Sequence, residues 1–155
     1  MNAETRRQLI DQYRQGIAEV KAALNGATNA ELDATPRDGG WTARQIAHHL
    51  ADSETTSYIR LRRLLAENGP TLHGYDENEF AQRLMYDLPI EASLEVFRAV
   101  RTSSAEVLDQ LNDDQWLRSG IHTESGNYTV ESWLEIYAAH AFDHAEQIRQ
   151  ARLGA

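Results

Sequence analysis

The sequence contains no cysteine. That excludes a disulfide scaffold, a cysteine zinc finger, an iron–sulfur centre and any thiol nucleophile supplied by the chain itself. Glycine and proline are scarce, nine and three among 155 residues, and they fall between periodic segments. Positive charge is also short: 15 Lys and Arg stand against 24 Asp and Glu, a formal net charge of −9. Nucleic acids and anionic membranes both select a basic footprint, so this balance argues against either partner. No apolar run approaches the roughly 20 residues of a membrane-spanning helix. The polar start Met1-Asn2-Ala3-Glu4 lacks the apolar stretch of a signal peptide. The expectation is a soluble, cytoplasmic protein, with residues 1–155 forming one domain around one core.

What is present favours helices. Alanine and leucine are commoner than valine and isoleucine. Ile10, Tyr13, Ile17, Val20 and Leu24 recur at steps of three and four and predict a first helix over 4–25, stopped by Gly26. Thr28 and Glu31 have capping-box spacing for a short turn at 29–32. Asp38-Gly39-Gly40 then breaks the chain. Thr42 and Gln45 form a second capping box, with Trp41 and Ile46 placed as a hydrophobic staple, so a second helix is expected to run to about Glu67. Residues 68–88 read as a long connection in which Asp76 and Glu79 could start one helical turn. Pro89 suits the first turn of a third helix, whose stripe is Ile90, Leu94, Phe97, Val100, Val107 and Leu111. A second connection spans 112–128, with Ser125-Gly126-Asn127 a candidate hairpin turn. A fourth helix over 129–152 buries Val130, Trp133, Tyr137, Ala141 and Ile148. Four amphipathic helices predict an all-α four-helix bundle, and the two long connections permit a topology other than up-down-up-down.

Six histidines are present. His140 and His144, four apart, share one helix face, the spacing by which two imidazoles chelate one metal ion. The pair alone is a weak signal, and helix phase strengthens it. With Tyr137 at zero, His144 lies near −20° and His140 near −60°, roughly within the apolar stripe. Buried imidazoles need a metal or hydrogen bonds to satisfy them. On the second helix, His49 falls at the edge of the stripe set by Ile46, Leu50, Ser57, Leu61 and Leu64. His48 falls on the back, where solvent or an oligomer contact is expected. His49 with the His140–His144 pair would make a three-imidazole site that leaves a position open for water or substrate. Core histidines bonded to backbone or carboxylate groups fit the periodicity equally well.

Two segments carry a family resemblance. Gly40-Trp41-Thr42-Ala43-Arg44-Gln45-Ile46-Ala47-His48-His49-Leu50-Ala51-Asp52-Ser53, continued by Tyr58-Ile59-Arg60 and Tyr75-Asp76-Glu77, resembles the second-helix signature of the DinB superfamily and its YfiT-like branch. Tyr137-Ala138-Ala139-His140-Ala141-Phe142-Asp143-His144-Ala145-Glu146-Gln147-Ile148 resembles the family's closing His-x3-His-x2-Gln-Ile helix. The first and third helices match only in pattern. The resemblance implies an up-down-down-up four-helix bundle, often a homodimer, with a divalent metal on His49, His140 and His144. Zinc or nickel is the first expectation for that ion, with iron or manganese also compatible. It implies either a metal-dependent hydrolase or a transferase that takes a low-molecular-weight thiol such as bacillithiol as cosubstrate, acting on a small molecule. A non-catalytic, stress-associated metal-binding dimer is the alternative.

Other residues invite chemistry less directly. Glu54 lies within the second-helix stripe. It could stand behind a metal ligand or act as a general base, or it could pair with an arginine from a neighbouring helix. Asp143 and Glu146 should be solvated. Arg60, on the same edge as His49, could attract an anion or simply snorkel. Tyr58 and Tyr137 are expected mainly to pack, and His73 and His122 lack a partner at ligand spacing. No Gly-x-Ser-x-Gly elbow, dinucleotide fingerprint or P-loop occurs.

Overall fold

The computed structural model describes residues 1–37 and 39–153, so Asp38 of the expected chain break lies outside the described residues. Four long helices dominate: α1 (Ala3–Leu24), α3 (Ala43–Ala66), α5 (Glu91–Leu108) and α7 (Val130–Arg152). Three of the four begin with a side-chain cap. Asn2 accepts from the Thr5 amide, Thr42 from that of Gln45, and Thr129 from that of Ser132, each satisfying an amide that the first turn leaves free. The capping box at Thr42 is complete, and so is the one at Thr28, which starts the one-turn α2 (Asn29–Leu32). α5 begins at Glu91 behind Ile90, without a side-chain cap, so Pro89 precedes the helix instead of sitting in its first turn.

The direction of each helix follows from its contacts. Arg6 bonds Glu131 and Arg149 bonds Glu19, so α1 and α7 run parallel. His48 meets Ser93 and Arg62 meets Ser103, so α3 and α5 run parallel. Trp133 donates to the Ser57 carbonyl while Ser53 meets His140, so α3 and α7 are antiparallel neighbours. α1 likewise opposes α5: Arg14 pairs with Asp109, and Val20 faces Phe97. The topology is up-down-down-up, as the resemblance implied. Parallel neighbours joined in sequence need a long return, which is why the α3–α5 connection is long.

That connection is more ordered than the sequence suggested. It contains β1 (Thr71–Leu72) and α4 (Glu77–Arg83), capped by Asp76. The second connection holds α6 (Asp113–Trp116), β2 (Ser119–His122) and β3 (Gly126–Thr129). β2 and β3 form the antiparallel hairpin, turning through Gly126 at φ +78°, and β1 joins β2 in parallel. A three-stranded sheet too small to alter the all-α class thus ties the two connections together.

The core falls into two apolar clusters. One gathers Tyr13, Leu61, Leu64, Leu108 and Trp133; the other gathers Val20, Ile46, Leu50, Phe97 and Ile148. Between them along the helices lie Glu54 and Arg101, both completely buried. The α5 stripe therefore runs through Phe97, Arg101, Ser104, Ala105 and Leu108, whereas the expected Val100 and Val107 are only partly buried. Sequence periodicity missed this because a charged residue occupies the centre of the face.

Gly16 makes this packing possible. A Cβ there would lie 2.6 Å from Ala141 Cβ and 2.9 Å from Arg101 Nη2. Gly16→Ala is expected to destabilise the protein by about 1–2 kcal/mol, overpacking outweighing the gain in helix propensity. Urea unfolding measures the difference; an unchanged or higher midpoint would refute the tight approach.

Candidate metal centre

His49 sits in the second turn of α3 and points toward α7, where His140 and His144 lie one turn apart. One ring nitrogen from each can be chosen so that all three lie within 4.8 Å of one another. His140 and His144 bring their Nε2 atoms to 3.2 Å. Two ligands of one tetrahedral zinc, each about 2.0–2.1 Å from the ion, stand about 3.3 Å apart. The α7 pair already has that separation, and His49 is within a small movement of it. Imidazole-only donors suit zinc or nickel.

The nitrogens pointing away matter as much. His144 Nδ1 lies 2.8 Å from Gln147 Oε1. An amide oxygen only accepts, so Nδ1 carries the proton and Nε2 presents its lone pair inward. Gln147, three residues on from His144, shares its face of the helix. His140 Nδ1 is buried without a hydrogen-bond partner among the described residues, and so is His49 Nδ1. Trp41, which the staple placed against the helix start, lays its ring 4.8 Å from that of His49. Tyr137 stands edge-on to His140 at 5.5 Å.

Burial keeps the imidazoles neutral. It depresses the His49 pKa to about 3, reinforced by the nearby His144. It pushes His140 well below the usual range, and His144 and His49 add to that. His144 is lowered by burial too, with Gln147 opposing. Neutral imidazole is the form that binds metal. His49 is fully buried while His140 and His144 are partly exposed, so the site is closed at its base and open on one side.

The polar groups around the opening come from α3 and the first connection. Ser53 Oγ is 3.5 Å from His140 Nε2. Tyr75 has a buried hydroxyl within reach of Ser53, and burial raises its pKa. Arg60 donates to the Tyr137 hydroxyl and to the His73 carbonyl. Nothing in the periodicity singled out Tyr75, because it lies in a connection. A cleft of about 510 Å³ between α1 and α5 is lined by Val20, Leu24, Leu94 and Phe97; it contains none of the three histidines.

Two sequence readings are settled differently or more finely. His48 is not solvated: it is buried, with Nδ1 2.7 Å from Ser93 Oγ and Nε2 2.9 Å from the Leu88 carbonyl. The back of α3 is covered by α5 and the segment before it, which the phase of one helix cannot reveal. Glu54 does pair with an arginine of a neighbouring helix, Arg101. Asp143 and Glu146 are exposed as expected, while His73 and His122 stay outside the cluster.

A four-helix bundle with three converging imidazoles at the crossing of two antiparallel helices defines the structural class. The chain belongs to the DinB superfamily, whose sequence profile it matches over residues 12–148. It is 40% identical over 144 residues to an Oceanobacillus iheyensis protein named "Putative metal-dependent hydrolase", covering 90% of this chain and 84% of that one. It is 34% identical over 146 residues to Bacillus subtilis YfiT, which carries the same description, covering 90% and 82%. The solved YfiT structure, described as a probable metal-dependent hydrolase with an unusual four-helix bundle topology, matches with a TM-score of 0.91 at 31% identity. That match covers 97% of this chain and 87% of that one.

The neutral imidazoles have a consequence for acid stability. A histidine whose folded pKa is depressed refuses a proton that the unfolded chain accepts. Stability is therefore complete above the ordinary histidine range and falls as pH drops through about 6.5, by about 1.4 kcal/mol per pH unit for each such group. In chelator, the urea midpoint is expected to fall between pH 7.5 and 5.5, and to fall less in His49→Gln. Equal slopes in the two proteins would show that His49 is not held neutral.

Proposed function

We propose that this chain is a metal-dependent hydrolase in which His49, His140 and His144 hold one divalent cation, zinc or nickel by preference. The carrying observation is the 3.2 Å approach of two inward nitrogens, with a third histidine beside them and one side of the cluster open. A divalent ion with an open position lowers the pKa of a bound water toward neutrality and polarises a carbonyl or similar electrophile. The chain's own groups then orient the substrate. The Ser53 hydroxyl lies against the cluster, and the buried Tyr75 hydroxyl lies within reach of Ser53. The names of the relatives support hydrolysis. An external thiol is the other nucleophile such a site could activate, and the chain, having no cysteine, would take it as a cosubstrate.

Untagged protein is expected to retain close to one divalent ion per chain, and His140→Ala to lose it. A hundredfold excess of zinc over its dissociation constant should stabilise the wild type by about 2.7 kcal/mol against chelator. Wild-type protein that binds no zinc, nickel, iron or manganese would end this reading. Given metal binding, turnover of activated esters or amides without added thiol supports the hydrolase. Turnover only with bacillithiol, mycothiol or glutathione assigns the transferase. None with any of them assigns a non-catalytic metal binder.

A further inference from the structure

The proposed ligand His140 has a second nitrogen whose partner is missing. Nδ1 is buried and makes no hydrogen bond. The carboxylate facing it is that of Glu54, with Oε1 3.9 Å away. Glu54 is itself wholly buried and its carboxylate is held from two other directions. Arg101 donates to Oε1 through Nη1. The Tyr13 hydroxyl donates to Oε2 at 3.1 Å, while the Ser57 hydroxyl donates to the Glu54 backbone carbonyl at 2.8 Å. The carboxylate therefore cannot turn away, and a carboxylate oxygen has lone pairs for more than one donor.

We propose that Glu54 is a positioning residue for the metal ligand His140: its fixed carboxylate accepts the Nδ1 proton and so directs Nε2 toward the cluster. This rests on the metal reading above. The logic is that of His144 and Gln147, where an acceptor behind the ring fixes which nitrogen faces inward. The difference lies in the acceptor. Gln147 offers a neutral amide, whereas Glu54 offers a charge, which raises the basicity of the imidazole in front of it. The Arg101 guanidinium stands beside Oε1 as its counter-charge. Arg101 is anchored in turn by the Tyr13 carbonyl at 2.6 Å and the Tyr137 carbonyl at 3.0 Å. A chain of contacts thus runs from α1 and α5 through Glu54 to a side chain on α7.

The test measures zinc affinity by chelator competition on the full chain. Glu54→Gln, which keeps the shape and removes the charge, is expected to weaken zinc binding 10- to 100-fold. Glu146→Gln removes an exposed carboxylate from α7 that touches none of these groups, and is expected to bind zinc within about twofold of wild type. A fold loss in Glu54→Gln would be seen by circular dichroism, so a second readout uses wild-type protein. In the zinc-loaded form the His140 Nδ1 proton, followed by nitrogen-15 NMR, should exchange slowly with solvent. Unchanged zinc affinity in folded Glu54→Gln, or a freely exchanging Nδ1 proton, overturns the proposal while leaving the metal site standing. Failure of wild-type protein to bind zinc would instead overturn the reading beneath it.

Discussion

Arg101 carries a guanidinium, yet it lies fully buried between two apolar clusters. The rest of the bundle is arranged around that constraint. Glu54 supplies the counter-charge from α3, Tyr13 supplies a carbonyl and a ring face from α1, and Tyr137 supplies a carbonyl from α7. Gly16 leaves the room that the guanidinium occupies. Desolvation offsets much of the attraction in such a pair, so it contributes little net stability, while removing either partner strands the other charge. Its role is better read as one of register. Four helices with only apolar stripes could slide by a turn at modest cost; with one charged pair and its acceptors on all four, a slide leaves the pair unsatisfied.

The register fixed there also sets the candidate site. Glu54 and Ser53 are neighbours on α3, and they stand on two sides of His140: one 3.9 Å from Nδ1, the other 3.5 Å from Nε2. One turn back along α3 comes His49, and one turn on along α7 comes His144. Because α3 and α7 are antiparallel neighbours, those two meet. The up-down-down-up order makes them neighbours despite some ninety intervening residues. It also requires the long connections, and one of these brings Tyr75 within reach of Ser53.

Much of this was legible beforehand. The caps at Thr28, Thr42 and Asp76 and the stripes of α1, α3 and α7 are local, so the sequence states them directly. The i, i+4 spacing of His140 and His144 is also local, and the phase of each helix put three histidines on facing sides. The failures are tertiary. His48 lies on the back of α3 by phase, and only the path of residues 84–93 shows that this back is covered. Glu54 stands inside the apolar stripe of α3, and Arg101 stands inside that of α5, among Phe97, Ser104, Ala105 and Leu108 at equivalent spacing. Two opposite charges, each in the apolar face of a different helix, are a sequence signal for a buried pair that either one alone does not give. Tyr75 had no such signal, since its position depends on the fold of a connection.

The donor set constrains the chemistry as well. Three neutral imidazoles cancel none of the charge of a divalent ion, whereas thiolates or carboxylates would. An ion held only by imidazoles therefore acts more strongly on a bound water or an incoming thiol. A carboxylate one step behind a ligand normally moderates this by donating charge through the ring. Here that carboxylate is shared with Arg101, so part of its charge is already committed. On the proposal above, this would give His140 a placed acceptor without a full negative charge beside the cluster. It would keep the orienting effect of a carboxylate–histidine pair while reducing the electrostatic cost to the acidity of whatever binds at the open position.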